Sequence, residues 1–417
     1  MAEQQAQRTV AAEPIAWSEI GSIFLILGVL GFGGPAAHLA LMETELVTRR
    51  KWLSHEYFLD LLAAINLVPG PTSTEMALQI GYVVGGLRGM LLAGAGFILP
   101  AVFFSVALAM IYTAAGSVPA VQGLLLGVKP VVLVLILSAA YRLGVKAIDN
   151  TPMRVLLAIA LIAIAVSSKP LMSAFGRSAI TIPELVLLLA TGATYIAWKH
   201  RRQLGTIAGV ALAPLLSAAT PVLAQQVPAL GDLFWRFLII GGTLFGSGYV
   251  LAAYMQRTFV DELHWLTPQR LLDVLAIGQA TPGPLTSTAS AAGYMLTVTP
   301  GAIWSGVPGA IVATLGVFLP AFVVVLILGR VVPYIRRYPI VLDFLKGVNA
   351  GVIALLIGAF ANLAWATAVR PDSSVDWLSL VLVGIAFILL ERFKWNPIQL
   401  IVIGALVGVG RVMVGFG

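Results

Sequence analysis

Trp52–Pro71 reads WLSHEYFLDLLAAINLVPGP, and Trp265–Pro284 reads WLTPQRLLDVLAIGQATPGP. Nine of the 20 positions are identical, at a constant offset of 213 residues. Phe32-Gly33-Gly34 aligns with Phe245-Gly246-Ser247 at the same offset, and Leu99-Pro100-Ala101 with Leu319-Pro320-Ala321 at 220. Apolar bias alone would not bring Trp, Asp and a Pro-Gly-Pro triplet into register. The chain is a duplication with a small insertion in its second half.

Around these blocks the composition excludes a water-soluble fold. Of the 417 residues 59% are hydrophobic and only 10% charged, with a mean hydropathy of +0.97. Soluble domains carry roughly a quarter charged residues. Unbroken runs such as Val155–Val166 lack the alternation of an outer-membrane barrel, so the fold class is an all-α polytopic membrane protein. The partner is then the lipid bilayer, not nucleic acid, and the net charge of +7 reads as positive-inside bias. A second copy of the chain stays open as a partner. Cysteine is absent and the four histidines lack metal-ligand spacing, so neither a metal nor another cofactor is expected. The first sixteen residues are largely polar without the pattern of a cleaved signal, so the first apolar run reads as a retained helix.

Six apolar segments lie near 18–37, 57–84, 89–114, 118–141, 155–168 and 182–198, and six more near 233–250, 269–298, 303–330, 339–366, 378–391 and 398–416. Segment 205–222 is unpaired, giving about thirteen transmembrane helices. The organisation expected is a segment 1–16, a first repeat 17–198, a linker 199–230 with the extra helix, and a second repeat 231–417. An odd helix between two halves would invert the second relative to the first. With every segment crossing, one side collects 15 basic residues and the other 8, which places the N-terminus in the cytoplasm and the C-terminus outside. The alternative, Pro-Gly-Pro segments that are re-entrant hairpins, brings the split nearer even. Arg49-Arg50-Lys51 departs from this pattern, falling on the external side.

Chemistry is expected where apolar stretches are interrupted. Pro69-Gly70-Pro71 and Pro282-Gly283-Pro284 each end one half-helix and start another. Thr72-Ser73 follows the first and Thr286-Ser287 the second, hydroxyl residues suited to capping a helix start. Such a start offers free N–H groups and a positive dipole end to an anion, and secondary transporters bind substrates on half-helices at a repeat interface. The alternative is a kink without ligand. Gly33 and Gly34 admit two readings, backbone approach to the same cavity or close helix packing.

Charges inside the apolar segments complete the candidate set. Lys129, midway along 118–141, suits an anion path, the alternative being snorkelling. Lys346, about one turn from the repeat counterpart of Lys129, could line the same anion cavity, the favoured alternatives being snorkelling or pairing with Asp343. Asn66 and Gln279 match across the repeat and offer neutral donors to an oxyanion. Asp60, Asp273 and Glu75 are candidates for proton coupling, although the two aspartates could pair with arginine and Thr72-x-x-Glu75 is a capping box. Trp52 and Trp265 read as interfacial belt residues. Nucleophile and metalloprotease motifs are missing, so no catalytic residue is assigned and an intramembrane enzyme or scaffold is a remote alternative.

Phe32-Gly33-Gly34-Pro35, Glu45 with Arg49-Arg50-Lys51-Trp52-Leu53, Pro69-Gly70-Pro71 and Gly81-Tyr82 resemble the chromate ion transporter family. Gly278–Pro284 and Gly293-Tyr294 are similar to that family's other signature block. The resemblance spans roughly residues 17–395 and the long two-domain bacterial members. It implies oppositely oriented homologous halves, about thirteen helices, and efflux of chromate across the bacterial inner membrane, conferring resistance. A carrier of sulfate or another oxyanion is the alternative. Phe245-Gly246-Ser247-Gly248 departs from the first half's Gly-Gly-Pro, so functionally unequal halves are expected.

Overall fold

A computed structural model describes residues 14–116, 118–168, 172, 182–200, 228–245, 248–368 and 375–414. The expected helix 205–222 and Gly246-Ser247 lie outside the described residues. Within them the chain is helical apart from turns and linkers, with an isolated bridge between Thr299 and Ala302. The first half runs α1 (Trp17–Leu30), α2 (Pro35–Met42), α3 (His55–Ile65), α4 (Thr72–Ala115), α5 (Pro119–Ala147), α6 (Thr151–Ser167) and α7 (Glu184–Lys199). The second runs α8 (Leu230–Thr243), α9 (Val250–Met255), α10 (Pro268–Ala280), α11 (Thr288–Thr297), α12 (Val307–Arg337), α13 (Pro339–Ala368), α14 (Trp377–Glu391) and α15 (Pro397–Met413).

Secondary structure repeats as the sequence does. α1 and α8 start 213 residues apart, and α2 and α9 both run on into π-helical turns, Glu43–Arg49 and Gln256–Glu262. α5 and α13 start 220 apart. The offset changes at the bridged turn after α11 and the 3-10 turn Ile303–Gly306, which together hold the insertion.

Two segments drawn as single crossings, 18–37 and 269–298, fold back instead, and the chain also reverses between 57–84 and 89–114, as their separation in the sequence expects. Gly86 in α4 has φ +60°, and a Cβ on Gly89 would sit 2.2 Å from the Gly81 carbonyl. A straight helix would hold those residues about 12 Å apart, so α4 reverses at Gly86 into arms 72–85 and 87–115. The chain also turns back after α1, since Arg50 reaches Glu19 at 2.8 Å. In the second half Tyr112 Oη donates to Asp273 at 2.9 Å, and the adjacent Thr113 Oγ1 lies 3.4 Å from Tyr294 Oη. Residues 273 and 294 would be about 30 Å apart on one helix. α10 and α11 are therefore the arms of a hairpin with Pro-Gly-Pro at its tip.

Among the described residues, four helices are long and apolar enough to cross a membrane: Thr72–Ala115, Pro119–Ala147, Ile303–Gly329 and Pro339–Ala368. The 29 residues of α5 span about 43 Å, beyond a hydrocarbon core of roughly 30 Å. Its two ends, near Ala115 and at Ala147, mark the two faces of the bundle. The halves interlock through small residues. α15 packs on α5 where Gly404 and Gly408 meet Gly123 and Gly127, and α7 packs on α13 where Thr191 and Gly192 meet Gly347. Backbones approach this closely only where side chains are minimal.

Gly127→Leu places a side chain where even a Cβ would lie 1.7 Å from the Gly404 carbonyl. Overpacking of this kind costs on the order of 3 kcal/mol. The expected outcome is a large drop in detergent-solubilised melting temperature, while Gly384→Ala, whose Cβ would meet nothing within 4 Å, melts with the wild type.

Candidate functional site: the two helix breaks

Each break is held by the opposite half. Gly70 donates its N–H to the Leu244 carbonyl at 2.7 Å, and Gly283 donates to the Gly31 carbonyl at 2.5 Å. Gly70 and Gly283 are equivalent positions, and so are Gly31 and Leu244, because both pairs differ by 213. The two bonds are therefore reciprocal, like the paired contacts of a two-fold dimer. Gly283, at φ +87°, fits because a Cβ would come within 2.7 Å of Ala101 Cβ. Beside it Thr281 Oγ1 lies 3.2 Å from Ser105 Oγ.

The hydroxyls do not cap the resumed helices. Pro71 and Pro284 occupy the cap positions, and neither helix start has a side-chain cap. Thr72 is already inside the helix, so the expected capping box with Glu75 does not form. Glu75 is fully buried, its carboxyl lies against Gly70, and neither oxygen has a hydrogen-bond partner. The equivalent Thr288 donates to the Leu285 carbonyl at 2.7 Å. Thr286 and Ser287, each 1% exposed, have side-chain oxygens without a partner, as has Thr74. Ser73 is buried as well. Buried hydroxyls are ordinarily satisfied, so this tip keeps unused donors beside a helix start.

The other candidates separate. Lys129 Nζ lies 2.8 Å from Asp273 Oδ1, an ion pair without hydrogen-bond alignment, while Tyr112 binds the other oxygen. Two residues read as separate functions thus meet across the halves. Their repeat counterparts, Asn349 and Asp60, cannot repeat the pair, and Asp60 is exposed. Asn66 is exposed and Gln279 half-buried. Asp343 binds Lys199 at 2.6 Å and His200 at 2.9 Å rather than Lys346, because the end of α7 reaches it across the bundle. Trp52 is buried in the core rather than lying in an interfacial belt. Gly34, at φ +82°, would place a Cβ 3.3 Å from Tyr249 Oη and 3.7 Å from Leu285. Gly34 therefore lies close against the second break, while Gly33 faces Ala37 and Asn396.

Two cavities approach this centre. One of about 570 Å³ opens near Ala115 and is lined by Tyr112, Arg270, Met295 and Thr299 among others. Another of about 700 Å³ runs from Lys146 and Lys394 to Gly33 and Tyr249. The sequence carried no signal for Tyr112, Tyr249 or Ser105, since aromatic and hydroxyl residues are common in apolar helices.

The sequence model of a family described as Chromate transporter matches residues 18–193 and 231–409. A chromate transport protein of Cupriavidus metallidurans is 31% identical over 390 residues, covering 92% of this chain and 90% of that protein. One from Pseudomonas aeruginosa is 30% identical over 407 residues, 95% and 92% of the two chains. An uncharacterized transporter of Bacillus subtilis is 35% identical over 34% of this chain but 80% of its own, about the extent of one repeat. No solved structure matches the chain.

Lys129→Gln leaves Asp273 buried without its cation, which costs about 3–5 kcal/mol. The single variant should melt well below the wild type, and Lys129→Gln/Asp273→Asn should recover most of the loss. A single variant as stable as the wild type would remove this pair from the interactions that hold the halves together.

Proposed function

The chain belongs to the chromate transporter family, and on that premise we propose that it exports chromate from the cytoplasm and confers resistance. The observation that carries this reading is the reciprocal seating of the two Pro-Gly-Pro breaks, with unused hydroxyls and a helix start at one tip. A dianion leaving water needs fixed donors, and N–H groups at a helix start supply them without rearrangement. The proposed contacts are Thr72, Ser73, Thr286 and Ser287 with the backbone of Pro69-Gly70-Pro71 and Pro282-Gly283-Pro284. Gly33 and Gly34 shape the approach, and Asn66, Gln279 and Lys129 complete the set.

The repeats 17–198 and 231–417 are proposed as inverted halves. In support, the arms of the first half return toward the end of the bundle where Arg88 stacks on Trp17 at 4.4 Å, while α8 lies along the start of α12 at the other end. Lys199 and Leu230 then belong to opposite faces, as inversion requires. On this reading the fold-back brings Arg49, Arg50 and Lys51 to the face of Arg88, Arg142, Lys146, Arg154, Lys199, Arg392 and Lys394, against Arg236, Arg257, Arg270 and Arg411 on the other, the Arg50–Glu19 and Arg142–Glu391 pairs supporting it. By the positive-inside rule the Ala147 face is cytoplasmic, in an inner membrane, with Trp17 inside and Met413 outside.

An inside-negative potential contributes roughly 2.3 kcal/mol per charge per 100 mV, so export of a dianion gains about 4.6 kcal/mol. Membrane potential alone suffices, and a proton gradient can add to it. Glu75 is the best-placed carrier for such coupling because it is buried without a partner. Asp273 is engaged by Lys129 and Tyr112, and Asp60 is exposed. Sulfate has the same shape and charge, and the donors at the tip read both, so a sulfate carrier is the second reading.

Labelled chromate should accumulate in inverted vesicles in a potential-dependent way. Dominant sulfate flux would select the second reading. Ser73→Ala and Ser287→Ala should each raise KM about tenfold or more, since a charge-assisted hydrogen bond contributes roughly 1.5–3 kcal/mol. An unchanged KM in both, with normal expression, would move the site away from the breaks.

A further inference from the structure

The larger cavity holds charges that the helix breaks do not explain. Its wall carries Arg142 and Lys146 from α5, and Lys394 just after α14. One carboxylate faces them: Glu391 lies 2.9 Å from Arg142 Nε and 3.9 Å from Lys394 Nζ, and accepts from Ser138 Oγ. Three cations against one anion leave the wall with two positive charges. The start of α15 adds its positive end, since Asn396 and Pro397 line the same space and Asn396 forms a capping box there. The floor is Gly33 and Tyr249. Gly34, next to Gly33, touches both Tyr249 and Leu285, the residue that follows the second Pro-Gly-Pro. The cavity therefore leads from the Ala147 face to the back of the second break. The cavity at the other face has Arg270 as its one lining cation, so the two approaches differ in charge.

We propose that this basic vestibule, Arg142–Lys146–Lys394, is a capture site for tetrahedral oxyanions at the Ala147 face, separate from the helix-break site and feeding it. The identity of the transported ion rests on the reading above, but the vestibule itself does not. A cleft with low-dielectric walls and one sign of excess charge concentrates counter-ions and speeds their entry by tenfold or more. Glu391 holds Arg142 in place while the cavity is empty of anion, and an arriving dianion competes for the same guanidinium. Arginine suits that exchange because its planar fork binds carboxylates and tetrahedral oxyanions alike.

The absence of cysteine makes the test direct. Ala139→Cys and, as a second site, Ala36→Cys each place one thiol in the cavity wall and leave every cation intact. In vesicles of phosphatidylcholine alone, an anionic methanethiosulfonate should label either thiol about tenfold faster than a cationic one, after correction for their rates with a free thiol. Molybdate, a tetrahedral dianion that does not oxidise thiols, should protect. Adding Lys146→Gln and Lys394→Gln should abolish the bias, weaken protection, and lower chromate kcat/KM by about three- to tenfold. Equal labelling by both reagents at both sites, or no molybdate protection, would overturn the vestibule even if chromate flux is normal. Loss of protection only after phosphatidylglycerol is added would assign the cavity to a lipid headgroup and overturn it too. Bias and protection without chromate flux would keep the vestibule and overturn the transported ion.

Discussion

A broken helix inside a bilayer must find partners for its backbone, because lipid supplies none. Two Pro-Gly-Pro triplets create that demand twice, and each is met by the other half: Gly70 bonds to Leu244 and Gly283 to Gly31. Each break thus takes one backbone partner from the opposite repeat. The interlock of the halves follows from this exchange. α15 lies on α5 and α7 on α13 through close glycine contacts, and the Lys129–Asp273 pair crosses the same boundary. The substrate site proposed at the breaks is then enclosed by both repeats.

Duplication supplied two of everything, and substitution made the copies unequal. Where the first break carries Glu75 with both oxygens unpartnered, the second carries Thr288, which closes locally onto Leu285. Lys129 has Asn349 as its counterpart, so the buried ion pair exists once. The two cavities also differ, since the one near Lys146 carries three lining cations and the one near Ala115 carries Arg270. A symmetric carrier has the same chemistry on both sides, whereas a directional one gains from a charged approach on one side and a titratable group at one break.

Folding back rather than crossing also changes the electrostatic picture. Charges that are distant along a straight reading become neighbours, as Arg50 and Glu19 do at 2.8 Å. The triplet Arg49-Arg50-Lys51 conflicts with the positive-inside pattern only while 18–37 is drawn as one complete crossing. Once α1 and the Glu43–Arg49 turn form two limbs, the triplet joins the basic face, and the pattern becomes simpler.

By itself the sequence determined the membrane class, the duplication and its insertion, and the positions of the breaks. Those features are written in composition, register and the backbone chemistry of proline and glycine, all local properties of the chain. It also marked Glu75, Lys129, Asp273 and the hydroxyls at 286 and 287. What only the tertiary structure decided is which of these meet. Hydropathy records that a segment is apolar, not whether it runs on or doubles back, so the α10–α11 hairpin stayed one of two readings, whereas the reversal at Gly86 falls where the sequence already separates segments 57–84 and 89–114. Capping was misread because Thr72 sits one position inside its helix, with Pro71 at the cap. Contacts between residues 129 and 273, 70 and 244, or 142 and 391 depend on how helices from distant parts of the chain pack. That packing is set by shape and burial across the whole bundle, which no local pattern encodes.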